Sequence, residues 1–166
     1  YTHTSTSSMN KINSDQIQTK WQSSWQLAKL GTAKPNSQKE KFFMIFAYPG
    51  ISGFLHVGHM RGFSYTDAIC RLERMKGKEV LFPVGTHASG NHAFAFARKV
   101  KDKDEKWISY LKKNGCSDEQ LKKLEDPNEI INYFNDVYVN EYWKKFGFLC
   151  DWDRFTSSTN ADYNKF

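Results

Sequence analysis

Little in this sequence supports covalent cross-links, a metal cage or a membrane passage. Only three of 166 residues are cysteine, Cys70, Cys116 and Cys150, and they stand far apart. With no CxxC pair, neither a disulfide framework nor a zinc knuckle is expected, and a reduced, intracellular protein is. The longest apolar run, Phe42 to Tyr48, falls far short of the ~20 residues that cross a bilayer, so no membrane partner is expected. The polar start has no apolar stretch of the kind that makes a secretory leader. No internal repeat and no low-complexity segment occurs. What remains is globular: 39% hydrophobic, 16% aromatic and 25% charged residues, too aromatic for a disordered chain.

Acidic residues are sparse in one part only. Residues 1–100 hold 13 Lys and Arg against 5 Asp and Glu, whereas residues 101–166 hold 11 against 13. The whole net charge of +6 therefore lies in the first part. Such a balance suits phosphate or nucleic-acid ligands, and equally suits a solvated lysine-rich surface.

The segment 1–8 is polar and featureless with Met9 directly after it, which suggests a remnant of the expression vector and a natural start at Met9. Ser14 is expected to cap a helix carrying Ile17, Trp21, Trp25 and Ala28 and ending near Gly31, its tryptophans forming a docking stripe. A polar linker with Pro35 completes a first unit at 9–40. The run Phe42 to Ala47, polar on neither face, predicts a central parallel strand buried on both sides. A glycine-punctuated turn, 48–55, leads into a helix with Met60, Phe63, Ala68, Ile69, Leu72 and Met75 toward the core and Gly77 just past its end. Glu79 to Val84 reads as a second strand. Strand, turn, helix and strand make a right-handed βαβ unit. Beyond residue 91 the chain turns helical, with capping boxes at Ser117/Gln120 and Asp126/Glu129 and Pro127 at a first helical position. The last of these helices carries Ile130, Ile131, Phe134, Val137, Tyr138 and Tyr142 and stops at Gly147. The final residues, 162–166, look like the opening of another helix, so the chain is expected to be a fragment.

Chemistry concentrates in Tyr48-Pro-Gly-Ile-Ser-Gly-Phe-Leu-His-Val-Gly-His59, where the buried strand meets the helix. Ligands of open parallel sheets bind outside the carboxyl ends of strands. A helix N-terminus there offers free N–H groups and a partial positive charge to phosphate. Gly50, Gly53 and Gly58 allow close approach to the backbone. His56 and His59, three apart on the first turn, can point at one ligand. Four readings of the pair stay open: metal ligands without a third partner, satisfied structural histidines, an acid–base dyad without an orienting carboxylate, and imidazoles donating to nucleotide phosphates. The strand–turn–helix context favours the last.

The HVGH at 56–59 resembles the HIGH signature of class I aminoacyl-tRNA synthetases. Its surroundings resemble the leucyl branch of archaeal and eukaryotic type: Ser52 to Arg61, Arg71 to Gly77, Val80 to Pro83, Glu125 to Pro127, Ile130 to Phe134 and Gly147 to Arg154. The likeness runs over nearly the whole chain from Met9, the Lys20-Trp21-Gln22 helix included. It implies an α/β fold, the N-terminal half of a Rossmann-like catalytic domain at 41–166, with a parallel sheet, flanking helices and an added helical segment.

It also implies activation of leucine, or another aliphatic amino acid, with ATP and Mg2+ and its transfer to tRNA. His56 and His59 would act catalytically on ATP phosphates, with Gly53 and Gly58 completing the ATP site. Phe46, Ala47 and Tyr48 would line the amino-acid site, and His87 would meet the substrate amino group, although a loop histidine bonded to backbone would look the same. No dedicated metal ligands are expected. Asp151-Trp152-Asp153-Arg154 reads as a structural ion pair beside tryptophan. No Lys-Met-Ser-Lys-Ser-like segment occurs, so this chain alone is expected to be inactive. Alternatives are the methionyl, valyl or isoleucyl enzymes, a small HxGH nucleotidyltransferase, and a non-catalytic binding module.

Overall fold

A computed structural model describes residues 12–88 and 91–165. The expected vector remnant, Met9, and the Ser89-Gly90 pair after His87 lie outside the described residues. The chain divides into two compact units, residues 1–30 and 31–166.

In the first unit, helix α1 spans Ser14–Leu27. Its cap is Asn13, one residue before the serine expected there, whose side chain accepts the Gln16 N–H at 3.1 Å. The helix ends at Leu27, earlier than expected, and Lys29 follows with a positive φ of 49°. No residue of α1 is buried, and Trp21 is half exposed.

The second unit is α/β. Strand β1 (Lys41–Phe43) pairs in parallel with β2 (Glu79–Leu81), with Phe42 opposite Val80. Strand β3 (Pro83–Thr86) continues β2 past Phe82 and pairs in parallel with β4 (Asp151–Ser157), with a register shift between Pro83 and Gly85. A further parallel bridge joins Gly50 to His87. The chain 79–87 thus runs between the 41–51 segment and β4. The central strand expected at 42–47 is shorter and less buried: regular pairing stops at Phe43, which is 60% exposed, and Ile45 is also exposed. An apolar run reports a tendency to be covered, and among the described residues one side of β1 has no strand beside it.

Helix α2 (Val57–Met75) joins β1 to β2. It ends as expected, with Gly77 at φ 89° and the Gly77 N–H on the Arg74 carbonyl at 2.9 Å. Its buried face differs from the apolar pattern. Met60, Phe63 and Cys70 are buried together with Thr66, Asp67 and Glu73, while Ala68, Ile69, Leu72 and Met75 are exposed. The polar residues are buried because they have work there. Asp67 accepts the Leu149 N–H at 2.8 Å and the Arg71 Nε–H at 2.7 Å. Arg71 donates to the Gly147 carbonyl at 2.6 Å, and Arg74 to that of Leu149 at 2.9 Å. Glu73 lies 2.7 Å from Lys76 and 3.1 Å from Lys78. Asp67, Arg71 and Arg74 fasten the 147–150 turn, and with it β4, against α2, while Glu73 pairs with lysines at the end of the helix.

A helical segment follows: α3 (His92–Lys101), α4 (Glu105–Lys113), α5 (Asp118–Lys123) and α6 (Pro127–Asp136). The Ser117/Gln120 capping box forms in both directions, at 3.2 and 2.8 Å. At α6 the expected box does not form: Asp126 caps the helix by accepting the Asn128 N–H at 2.8 Å, and Glu129 accepts instead from the Asn132 side chain at 3.4 Å. The helix then widens into a π-helix over Val137–Trp143, with the Lys144 N–H on the Val139 carbonyl. Phe134, Tyr138 and Trp143 are fully buried, and Trp143 packs on Phe63 with ring centroids 4.9 Å apart. The helix opening expected at the end of the chain is a short 3-10 turn, Tyr163–Lys165.

All three cysteines are free and buried. Burial pushes the Cys70 thiol up to about 11, and raises those of Cys116 and Cys150 as well. Asp151, fully buried, pairs with Arg154 and accepts the Ala33 N–H at 3.0 Å, the structural role expected for it.

Candidate active site at the start of helix α2

His56 is the N-cap of α2, in an extended conformation. Its Nδ1 accepts the Gly58 N–H at 3.1 Å. His59, one turn on, returns the contact: its Nδ1 accepts the His56 N–H at 3.4 Å. This is a capping box written in histidine, the reciprocal arrangement usually made by Ser or Thr with Glu or Gln. The two rings lie 4.0 Å apart, inclined by 35°.

The caps have a chemical consequence. A neutral imidazole carries one N–H and one lone pair. With both lone pairs turned to backbone at Nδ1, both protons sit on Nε2, so each ring presents a donor on its far side. Burial, and secondarily the proximity of His56, lower the pKa of His59 from 6.5. The shift favours the neutral ring of His59, whose Nε2–H is available to donate. Two of the readings of this pair, satisfied caps and phosphate donors, turn out to be compatible, because they use opposite nitrogens. Among the described residues no group of three or more His, Cys, Asp or Glu could hold a metal ion.

Three glycines shape the approach to the pair. A Cβ on Gly58 would stand 2.9 Å from the His56 ring, so this position must be small for the cap to form. Gly53 has φ 140°, and a Cβ there would meet the Tyr110 hydroxyl at 2.9 Å. A Cβ on Gly50 would have only the His87 carbonyl within 4 Å among the described residues, at 3.9 Å.

The strand end lies beside this loop. The Ile51 N–H donates to the His87 carbonyl at 3.2 Å, and the His87 N–H to that of Pro49 at 2.9 Å. His87 is exposed at the carboxyl end of its strand, so the backbone joins it to the glycine loop. The Tyr48 ring lies over Gly85, where a Cβ would approach it to 2.7 Å. Ala47 is exposed. Phe46 turns toward α2: its ring fills the place of a side chain at Gly62 and meets Phe63 edge-on at 4.9 Å.

Two residues that the sequence pattern does not single out also reach the loop. The Tyr110 hydroxyl accepts the Phe54 N–H at 2.9 Å, and the Tyr138 hydroxyl donates to the Gly53 carbonyl, with the Gly50 carbonyl 3.3 Å away. Tyr110 sits in a charge-interleaved helix and Tyr138 in an apolar stripe, so neither pattern signals a polar task.

Comparison with known proteins gives consistent matches. The family described as tRNA synthetases class I (I, L, M and V) matches residues 16–165. The leucine–tRNA ligase of Methanocaldococcus jannaschii is 37% identical over 156 residues, 93% of this chain and 16% of the relative. That of Pyrococcus abyssi is 36% identical over 164 residues, 95% of this chain and 17% of the relative. The chain therefore spans about a sixth of the length of the curated relatives it matches. A crystal structure of the ternary complex of Agrobacterium radiobacter K84 agnB2 LeuRS, tRNA and LeuAMS shares the fold, with a TM-score of 0.63 at 22% identity over 92% of this chain and 16% of that one.

Proposed function

Because the chain belongs to the class I tRNA synthetases of the I, L, M and V group, we propose that it supplies the first part of the catalytic domain of a leucine–tRNA ligase. The ligase activates leucine with ATP and joins it to tRNA. The leucine assignment draws on the archaeal leucine–tRNA ligases matched at 36–37% identity along nearly the whole chain. We place the ligase in the cytoplasm, in keeping with the synthesis it serves; no described helix is long and apolar enough to cross a membrane.

The observation that carries this reading is that His56 and His59 both accept backbone N–H groups at Nδ1 at the start of α2, which leaves Nε2–H of each ring to donate. In the activation step the amino-acid carboxylate attacks the α-phosphorus in line and pyrophosphate leaves, so negative charge redistributes over phosphate oxygens. Donors already oriented at the site stabilise that charge without reorganising. His56 and His59 provide two such donors, and the α2 N-terminus beside them adds a partial positive charge. Neither imidazole gives up its proton, so the pair acts by electrostatics and positioning. Gly53 and Gly58 belong to the ATP site by keeping the loop and the His56 ring in place. Magnesium enters with the ATP phosphates, the usual mode for this ion.

Leucine is assigned to the strand end beside the glycine loop. Phe46, Ala47 and Tyr48 supply its apolar wall, and the exposed His87 accepts from its ammonium group through a ring-nitrogen lone pair. Amino-acid-dependent ATP–pyrophosphate exchange by the full-length gene product tests the reading. Leucine is expected to drive exchange well above methionine, isoleucine and valine; preference for any of those three would overturn the substrate assignment.

A further inference from the structure

The peptide linking Gly53 to Phe54 is held at both of its polar ends by tyrosine hydroxyls. Tyr138 donates to its carbonyl, and Tyr110 accepts from its N–H at 2.9 Å. We propose that Tyr110 and Tyr138 are positioning residues, which lock this one peptide plane and thereby fix where α2 begins and where His56 points. The inference rests on the phosphate-donor reading of His56 and His59.

The plane needs such a lock. A trans peptide is rigid and directs its C=O and N–H to opposite sides, so a partner at each end fixes its rotation. Gly53, the residue before it, has φ 140°, a conformation in which only glycine is comfortable and from which the plane can turn at little cost. Turning would swing the negative end of the Gly53 carbonyl dipole away from the interior. Only Leu55 separates this peptide from His56, so the turn would also displace the cap. The Phe54 side chain is anchored in the same direction: its ring meets those of Tyr110 and Phe134 at 5.3 Å and that of Tyr133 at 6.4 Å.

The helical segment is built to deliver these hydroxyls. Tyr138 lies in the π-helical stretch, where the wider turn lets Tyr138 and Trp143, five residues apart, both be buried, their centroids 5.9 Å from each other. In an α-helix, residues five apart fall on different faces. Burial raises the Tyr138 pKa far above neutrality, so the phenol keeps the proton it donates. The excursion after residue 91 thus holds the nucleotide loop from beneath.

Tyr110→Phe and Tyr138→Phe test this. In each, amide hydrogen exchange at Phe54 is expected to rise about tenfold, the worth of one hydrogen bond. Exchange at Val84 and the thermal midpoint measured for α2 should stay near the wild type. In the full-length gene product both variants are expected to raise KM for ATP several-fold more than KM for leucine. Unchanged Phe54 exchange in both variants, or faster Phe54 exchange with an unchanged KM for ATP, would overturn the positioning role. His56→Ala separates the two ideas. If it leaves exchange activity intact, the phosphate-donor reading fails, and the Phe54 measurement still decides whether the peptide lock exists. Should Tyr138→Phe fold poorly, Tyr110→Phe alone decides, since it leaves the buried hydroxyl in place.

Discussion

A Cβ placed on Gly58 would stand 2.9 Å from both Nδ1 and Cε1 of His56. The glycine of the HxGH pattern therefore has a task inside the protein, keeping clear the space that the first histidine uses to cap the helix. Gly58→Ala removes that space and turns the ring off the Gly58 N–H. A lost cap costs about 1 kcal/mol, and alanine in place of glycine in a helix returns a similar amount. The variant should thus keep its thermal midpoint and lose ~10-fold or more of leucine-dependent pyrophosphate exchange. A variant equally stable and equally active would show that the capped orientation is not the working one.

His56→Ala and His59→Ala each remove one Nε2–H donor, and the full-length gene product should lose one to several orders of magnitude in exchange rate, on the scale of ~10²–10³ for an oriented donor. Exchange rates unchanged in both would end the phosphate-donor assignment.

Acid should loosen the start of α2. Folding lowers the pKa of His59 below 6.5, through burial first and His56 second, so the folded state takes up the proton less readily than the unfolded one. This group's contribution to stability is therefore whole above pH 6.5 and declines as pH falls from 6.5 through the folded pKa. Protonation at Nδ1 also cancels the acceptor for the His56 N–H. Between pH 7.5 and 5.5 the urea midpoint of the wild type should fall relative to that of His59→Gln, whose amide oxygen can accept the same His56 N–H without titrating. A gap that stays constant across that range would contradict the linkage.

The buried strap on α2 should outweigh the surface ion pairs. Asp67→Ala strands the Leu149 N–H and leaves Arg71 without its carboxylate, at a cost of about 2–3 kcal/mol. Glu141→Ala, on an exposed pair with Lys145, should not measurably shift the midpoint. Denaturation of the two variants side by side checks the contrast; equal losses would mean that the strap is no more than another surface contact.

The 166-residue chain by itself should form no aminoacyl-adenylate, since its sequence has no lysine-rich second signature to hold the ATP phosphates from across the sheet. Leucine-dependent pyrophosphate exchange by the purified chain would refute this.

The elements that local chemistry governs could be read in advance. The glycine turn, the start of α2 at Val57, Gly77 beyond its end, and the caps at Ser117 and Asp126 all follow from side chains acting on their own neighbours. What could not be read depends on distant partners. On α2 the apolar residues suggest a core face through Ala68, Ile69, Leu72 and Met75, yet Asp67, Arg71 and Arg74 lie toward the 147–150 turn instead. Nothing at positions 67–74 reveals that main-chain groups some 80 residues later in sequence will satisfy them. The same holds for the site: His56 and His59 stand out by spacing, whereas Tyr110 and Tyr138 become visible only when the chain brings their hydroxyls to one peptide. The π-helical widening that lets Tyr138 and Trp143 share a buried face has no local signature either.

Each of the three cysteines sits in a different part of the second unit, on α2, ahead of α5 and ahead of β4. Because all are covered and held as thiols, the native protein should be nearly inert to alkylating reagents, which attack the thiolate. Labelling therefore becomes a clock for opening. Pulses of iodoacetamide during mild denaturation, read by peptide mass, would report whether α2, the helical excursion and β4 come apart together or in sequence.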